Sequence, residues 1–146
     1  MLAAQREGNR LLAAALSELD VTPAQSEALR IIEDHGPLSL RQLGEMLVCD
    51  TGTSPSRIVD RLVAAGLVDR AAGEQDRRQV QLSLTPAGTA RATQVRTIEE
   101  RLYDSIDGAL ADEDADELVH ALRALTHDSP AGAALQRRLT PDHASA

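Results

Sequence analysis

The chain has no phenylalanine, no tryptophan and no lysine, with one tyrosine and one cysteine among its 146 residues. One aromatic residue, Tyr103, leaves no set of rings to line a ligand pocket. A lone cysteine, Cys49, cannot close an internal disulfide and agrees with a reducing compartment. Its plain reading is a small hydrophobe; its place before the fourth helix is one where oxidation would disturb docking. The uninterrupted apolar runs fall far below the roughly 18 residues that a membrane span needs, so no membrane partner is expected. The N-terminal stretch "MLAAQREGNRLLAAALSELD" carries charges through its apolar part, unlike a signal peptide, which makes a cytoplasmic location the expectation.

Catalytic signatures are missing too. There is no nucleophile–base pairing, glycine-rich phosphate loop or Cys/His cluster at ligand spacing, so the sequence predicts no enzyme, no catalytic residue, no cofactor and no metal. The acids Asp112, Glu113, Asp114, Asp116 and Glu117 lack the glycine-turn spacing of a calcium loop and fit a helix N-terminus, where the dipole favours carboxylates. Asp116 and His120, one turn apart, are spaced so that they could share a metal.

What is present is a chain of 42% hydrophobic residues, enough for one domain with helical extensions, at a formal charge of −8. Acidity argues against a general polyanion binder. The charge is nevertheless partitioned. Between Pro37 and Ile98 eight arginines face six acids, a net +2, whereas the rest carries seven basic against seventeen acidic residues, a net −10. That all the basic residues are arginine favours planar, bidentate contacts, and a GC-rich genome would produce the same bias.

Along the chain, Leu12, Ala15, Leu16 and Leu19 predict a first helix, broken by "DVTP". Thr22-Pro23 caps a second, which stops at His35-Gly36-Pro37. Ser39 caps a third, to about Val48, with Leu40, Leu43, Met46 and Leu47 inward. Ser54-Pro55 starts a fourth that buries Ile58, Val59, Leu62 and Val63 and ends at Gly66. "LVDRA" and "VQLSL" predict two strands of a hairpin whose charged tip spans residues 72 to 78. Thr85-Pro86 opens a long fifth helix with Val95, Ile98, Leu102, Ile106 and Ala109 at nearly heptad spacing. A sixth carries Leu118, Leu122 and Leu125, and Pro130 begins a short last one.

Two helices joined by a glycine-containing turn and followed by a hairpin are the order of a winged helix-turn-helix. The fold class expected is therefore mainly α, with a two-stranded β-wing and helical dimerisation extensions. Its parts are an N-terminal dimerisation helix at 1–22, the DNA-binding lobe at 23–88, C-terminal dimerisation helices at 89–140 and a frayed tail at 141–146. The fourth helix would read double-stranded DNA. Once its apolar residues are buried, Thr53, Ser54, Ser56, Arg57 and Arg61 are left for the groove, the serines near free N–H groups that favour phosphate and Arg57 in reach of guanine or phosphate. At the hairpin tip, Asp76 would orient Arg78 toward the minor groove while Arg77 adds charge near phosphate. Taken singly, a D-R-R tip is an ordinary solvated ion pair and a Ser/Arg face an ordinary exposed one. Leu12, Leu16, Leu19, Leu102, Leu118, Leu122 and Leu125 exceed what a small lobe can cover, which predicts a homodimer, the alternative being an intramolecular bundle.

From "LSLRQLGEML" through "SPSRIVDRLVAAGLVDR" to "DRRQVQLSLTPAG", about residues 38 to 88, the chain resembles the MarR family of bacterial winged-helix regulators. The resemblance implies a homodimeric transcription regulator, most often a repressor, that reads a pseudo-palindromic operator, with Ser54, Ser56 and Arg57 for the groove and Asp76 and Arg78 for the wing. It also implies a small-molecule effector as a further partner, although the phenolic effectors common in the family would lack a ring-lined pocket here. The redox-sensing members use a cysteine near the N-terminus, where this chain has none. The competing reading is a winged-helix protein–protein interaction module without DNA binding.

Overall fold

The computed structural model describes residues 2–48, 52–72, 80–111 and 114–140. Helix α1 (Leu2–Leu16) runs into a 3-10 turn at Ser17–Leu19. Asp20, in the left-handed region at φ 52°, reverses the chain. Helices α2 (Pro23–His35) and α3 (Leu40–Met46) open on the same device. Thr22 and Ser39 each accept from the backbone N–H three residues on, while Gln25 and Gln42 reach back to the capping residue, which satisfies donors a helix start leaves orphaned. Helix α4 (Pro55–Ala64) follows, and Gly66 at φ 68° turns the chain out of it.

Strands β2 (Val68–Ala72) and β3 (Val80–Leu84) pair antiparallel with Val68 opposite Leu84 and Ala72 opposite Val80. These two form the expected wing, and a third strand joins the sheet. β1 (Leu38–Ser39) pairs with the other edge of β3, Leu38 opposite Leu82, giving the order β1-β3-β2. Two residues carry no alternation, so β1 leaves no periodic signal in the sequence beside the Ser39 cap of α3. The hydrophobic core joins α2, α3, α4 and the sheet through Leu29, Ile31, Ile32, Leu38, Leu43, Ile58, Val59, Leu62, Val68 and Leu82, an aliphatic core without a ring.

The segment Leu84-Thr85-Pro86-Ala87-Gly88 is a joint between the sheet and α5 (Pro86–Ala109). The Thr85 hydroxyl accepts from the Gly88 N–H at 2.9 Å and donates to the Gly66 carbonyl at 2.7 Å, and the Thr85 N–H donates to the Leu67 carbonyl at 3.1 Å. Gly88 lies so close that a β-carbon there would stand 1.9 Å from the Leu67 oxygen. Helix α5 is fastened to α2 by ion pairs: Arg30 meets Glu33 on its own helix and Glu99 at 3.4 Å, and Arg96 meets Glu33 at 2.7 Å. Helices α6 (Ala115–Thr126) and α7 (Pro130–Leu139) complete the chain.

Several inward assignments change. Leu47 is only half-buried because α3 ends at Met46, short of the expected Val48, and Leu40, in the first turn of α3, is exposed. Leu16 and Val95, both expected on an intermolecular stripe, are 0% exposed within the single chain. Helix α1 packs on α2 and α5, which covers Leu16 without a partner, and it therefore leaves the set of interface residues.

Candidate nucleic-acid interface

Helix α4 is amphipathic: Ile58, Val59 and Leu62 go into the core and Arg57, Asp60 and Arg61 are exposed. Pro55 sits in its first turn, where the missing N–H is not needed. The Ser54 hydroxyl makes no cap; it lies 3.0 Å from the Ser56 hydroxyl. The two hydroxyls form a polar cluster at the positive end of the helix. Arg57 and Arg61, one turn apart on one side, make no ion pair among the described residues. Asp60 does: its carboxylate accepts from Arg70 of β2 at 2.5 Å. The acid on this face is thus paired with the wing strand, and the helix presents two exposed guanidinium groups that meet no acid among the described residues. Thr53 is half-buried where α4 approaches α2, beside Ile58 and Arg61.

Asp76, Arg77, Arg78, Cys49, Asp112 and Glu113 lie outside the described residues. The strands that carry the wing end at Ala72 and Val80, so the hairpin itself is present as expected. No cluster of metal-ligating side chains occurs among the described residues. The sequence passed over the Asp60–Arg70 pair, though both residues stand in "DRLVAAGLVDR"; ten positions apart across a helix–strand turn, nothing in one dimension couples them.

A sequence profile of the MarR family matches residues 21–80, and the chain is similar to mutant MarR from E.coli complexed with operator DNA, with a TM-score of 0.70 and 30% identity over 86% of this chain and 88% of that one. The chain belongs to the MarR family. Other MarR-type relatives are an organic hydroperoxide resistance transcriptional regulator of Bacillus subtilis, 33% identical over 88 residues, and the multiple antibiotic resistance protein MarR of Salmonella typhimurium, 37% identical over 82. These alignments cover 60% and 56% of this chain, and 59% and 56% of the relatives. The chain therefore matches less than two thirds of the length of these curated relatives.

The faces assigned to dimerisation divide into two groups. No residue of α6 is buried, and Leu118, Val119, Leu122 and Leu125 are 42–59% exposed. Tyr103 and Ile106 of α5 and Leu135 and Leu139 of α7 are exposed as well. Leu12 and Leu102 are half-buried, and Leu19 packs against the lobe core. Among the described residues, no helix is long and apolar enough to cross a membrane.

Proposed function

We propose that this protein is a homodimeric, sequence-specific DNA-binding transcription regulator that reads double-stranded DNA with α4 and steadies it with the β2–β3 wing. The observation that carries the reading is the outer face of α4, where small hydroxyls at the helix start permit close approach and Arg57 and Arg61 are exposed and pair with no acid among the described residues. Ser54 and Ser56 would take phosphate at the helix N-terminus, and Arg57 would address a base edge or phosphate in the major groove. Thr53, on the approach to the helix, and Arg61, one turn further along, would add backbone contacts. Asp76, Arg77 and Arg78 would act at the wing tip, with Asp76 holding Arg78 toward the minor groove.

A homodimer is the natural completion. Helix α6 carries a row of leucines at helical spacing with none of them buried, and an exposed apolar face of this extent marks an association surface. Two lobes so joined would present two α4 helices about one DNA turn apart, which suits an inverted repeat and repression by occupancy of a promoter. The cleft of about 500 Å³ between α3 and α7, lined by His35, Leu38, Gln42, Met46, Gln136 and Arg137, gives a small-molecule effector room without offering it a phenyl or indole ring.

The test is in-vitro selection from a random duplex pool at about 0.15 M salt, where phosphate contacts alone hold weakly. An enriched inverted repeat is expected; a flat pool would favour a winged helix that docks protein.

A further inference from the structure

Helix α7 touches the reading head directly. Arg138 donates to Oε1 of Glu27 at 2.8 Å, and the same oxygen accepts from the Val48 N–H at 2.8 Å. Glu27 stands on α2 with a side chain only 11% exposed, and Val48 follows α3 on the way to α4. One turn of α7 therefore holds a carboxylate that in turn holds the backbone connecting the two helices of the helix-turn-helix. A second tie runs parallel: Arg137 donates to the Glu45 carbonyl in the last turn of α3 at 3.1 Å. Between them Ala134, 3% exposed, lines a cleft with Gly44, Thr53, Pro55 and Ile58, so α7 faces the end of α3 and the start of α4 together.

The opposite side of α7 is different. Leu135 and Leu139 are exposed, continuing the apolar surface of α6, to which α7 is joined by a tight corner. The Ser129 hydroxyl donates to the Thr126 carbonyl at 2.7 Å and accepts from the Gly132 N–H at 3.0 Å. A β-carbon at Gly132 would stand 2.0 Å from that same Thr126 oxygen, so the two helices are fixed against one another. One short helix thus has its lobe side on the helix-turn-helix and its outer side on the surface assigned to the partner.

We infer that Arg138 is a positioning residue for DNA reading: through Glu27 and the Val48 amide it sets the angle of α4 relative to the dimer surface, and so the half-site spacing the protein accepts. The inference rests on the DNA-binding reading above. A charge-assisted hydrogen bond in a partly buried site is strong enough to matter, and its loss weakens the hold of Glu27 on the Val48 amide.

The experiment uses the full chain carrying Arg138→Gln, Arg138→Lys, Glu27→Gln or the double substitution Glu27→Gln/Arg138→Gln, with two measurements. Hydrogen exchange reads the clasp itself: Arg138→Gln should speed exchange of the Val48 amide about tenfold while β3 amides stay protected. Binding to inverted repeats whose half-sites are shifted by one base pair either way reads the consequence. Arg138→Gln should lose about tenfold in affinity for the preferred spacing and little at the shifted ones, Arg138→Lys should recover most of it, and the double variant should be no worse than Arg138→Gln alone. Unchanged Val48 exchange overturns the clasp whatever the DNA does. Faster exchange with an unaltered spacing preference overturns the positioning role. A wild-type protein that prefers no duplex refutes the DNA-binding reading, and the positioning role falls with it even if exchange at Val48 responds.

Discussion

Replacing Gly88 by alanine perturbs the joint between sheet and α5 at its closest point. The added β-carbon would start 1.9 Å from the Leu67 carbonyl oxygen and 2.9 Å from its carbon, whereas carbon–oxygen contacts settle near about 3.3 Å. Backbone must therefore move by more than an ångström, and the strand that moves begins the wing. Overpacking strain of this kind costs about 1–3 kcal/mol. The shift also pulls Leu67 and Gly66 from the Thr85 N–H and hydroxyl, two bonds of about 1 kcal/mol each. Alanine returns about 1 kcal/mol of helix propensity, which leaves a net destabilisation of about 2–4 kcal/mol. For a chain of this length that is a fall in Tm of roughly 5–15 °C. Gly108→Ala is the control, because a β-carbon at Gly108 meets nothing within 4 Å and the helix gains what the other site loses. Thermal unfolding followed by helical circular dichroism compares the two. If Gly88→Ala melts with the wild type or above it, the close approach does not constrain the joint and the reasoning fails.

Other substitutions probe the site and its supports. Arg70→Ala should lower DNA affinity at every sequence, by freeing the wing strand from α4 and unmasking Asp60, yet change stability by less than about 1 kcal/mol, because the pair is solvent-exposed; urea unfolding and salt-dependent binding separate the two effects. Leu122→Glu should turn a dimer into a helical monomer, seen by sedimentation with the circular dichroism spectrum retained, since Leu122 is 46% exposed and carries no lobe packing. Burial raises the Glu99 carboxyl above the usual carboxylate value of 4.5, against the opposing pull of Arg30. Its protonated form therefore favours the folded state, a contribution present below about pH 4.5 and lost as pH rises through the raised folded value. Glu99→Gln should flatten stability over that interval, and denaturant midpoints measured from pH 4 to 7 would show no flattening if the carboxyl were solvated.

The helical frame was legible because each start is written locally: Thr22, Ser39, Thr85 and Ser129 all cap the helices they precede, and Pro23, Pro55, Pro86 and Pro130 all stand in first turns. The "LTPAG" end of the stretch that carries the family resemblance becomes physical in the structure as the Thr85–Gly66 and Gly88–Leu67 contacts. Burial was less legible. Leu16 and Leu118 look alike in sequence, but α1 lies against α2 and α5 whereas α6 covers no core, so one is enclosed and the other open. Pairings across the fold were not legible at all. Glu27 and Arg138 are 111 positions apart, and Asp60 and Arg70 meet only because Gly66 folds β2 back beside α4.

If α4 reads bases, Arg57 does part of the reading. The most direct test is the affinity of wild type and Arg57→Ala for every single-base variant of the selected repeat. The expected result is that Arg57→Ala abolishes discrimination at one symmetry-related base pair in each half-site, a loss of about 1–3 kcal/mol there, and leaves the other positions ranked as before. Discrimination unchanged at every position, with or without a uniform drop in affinity, would contradict it.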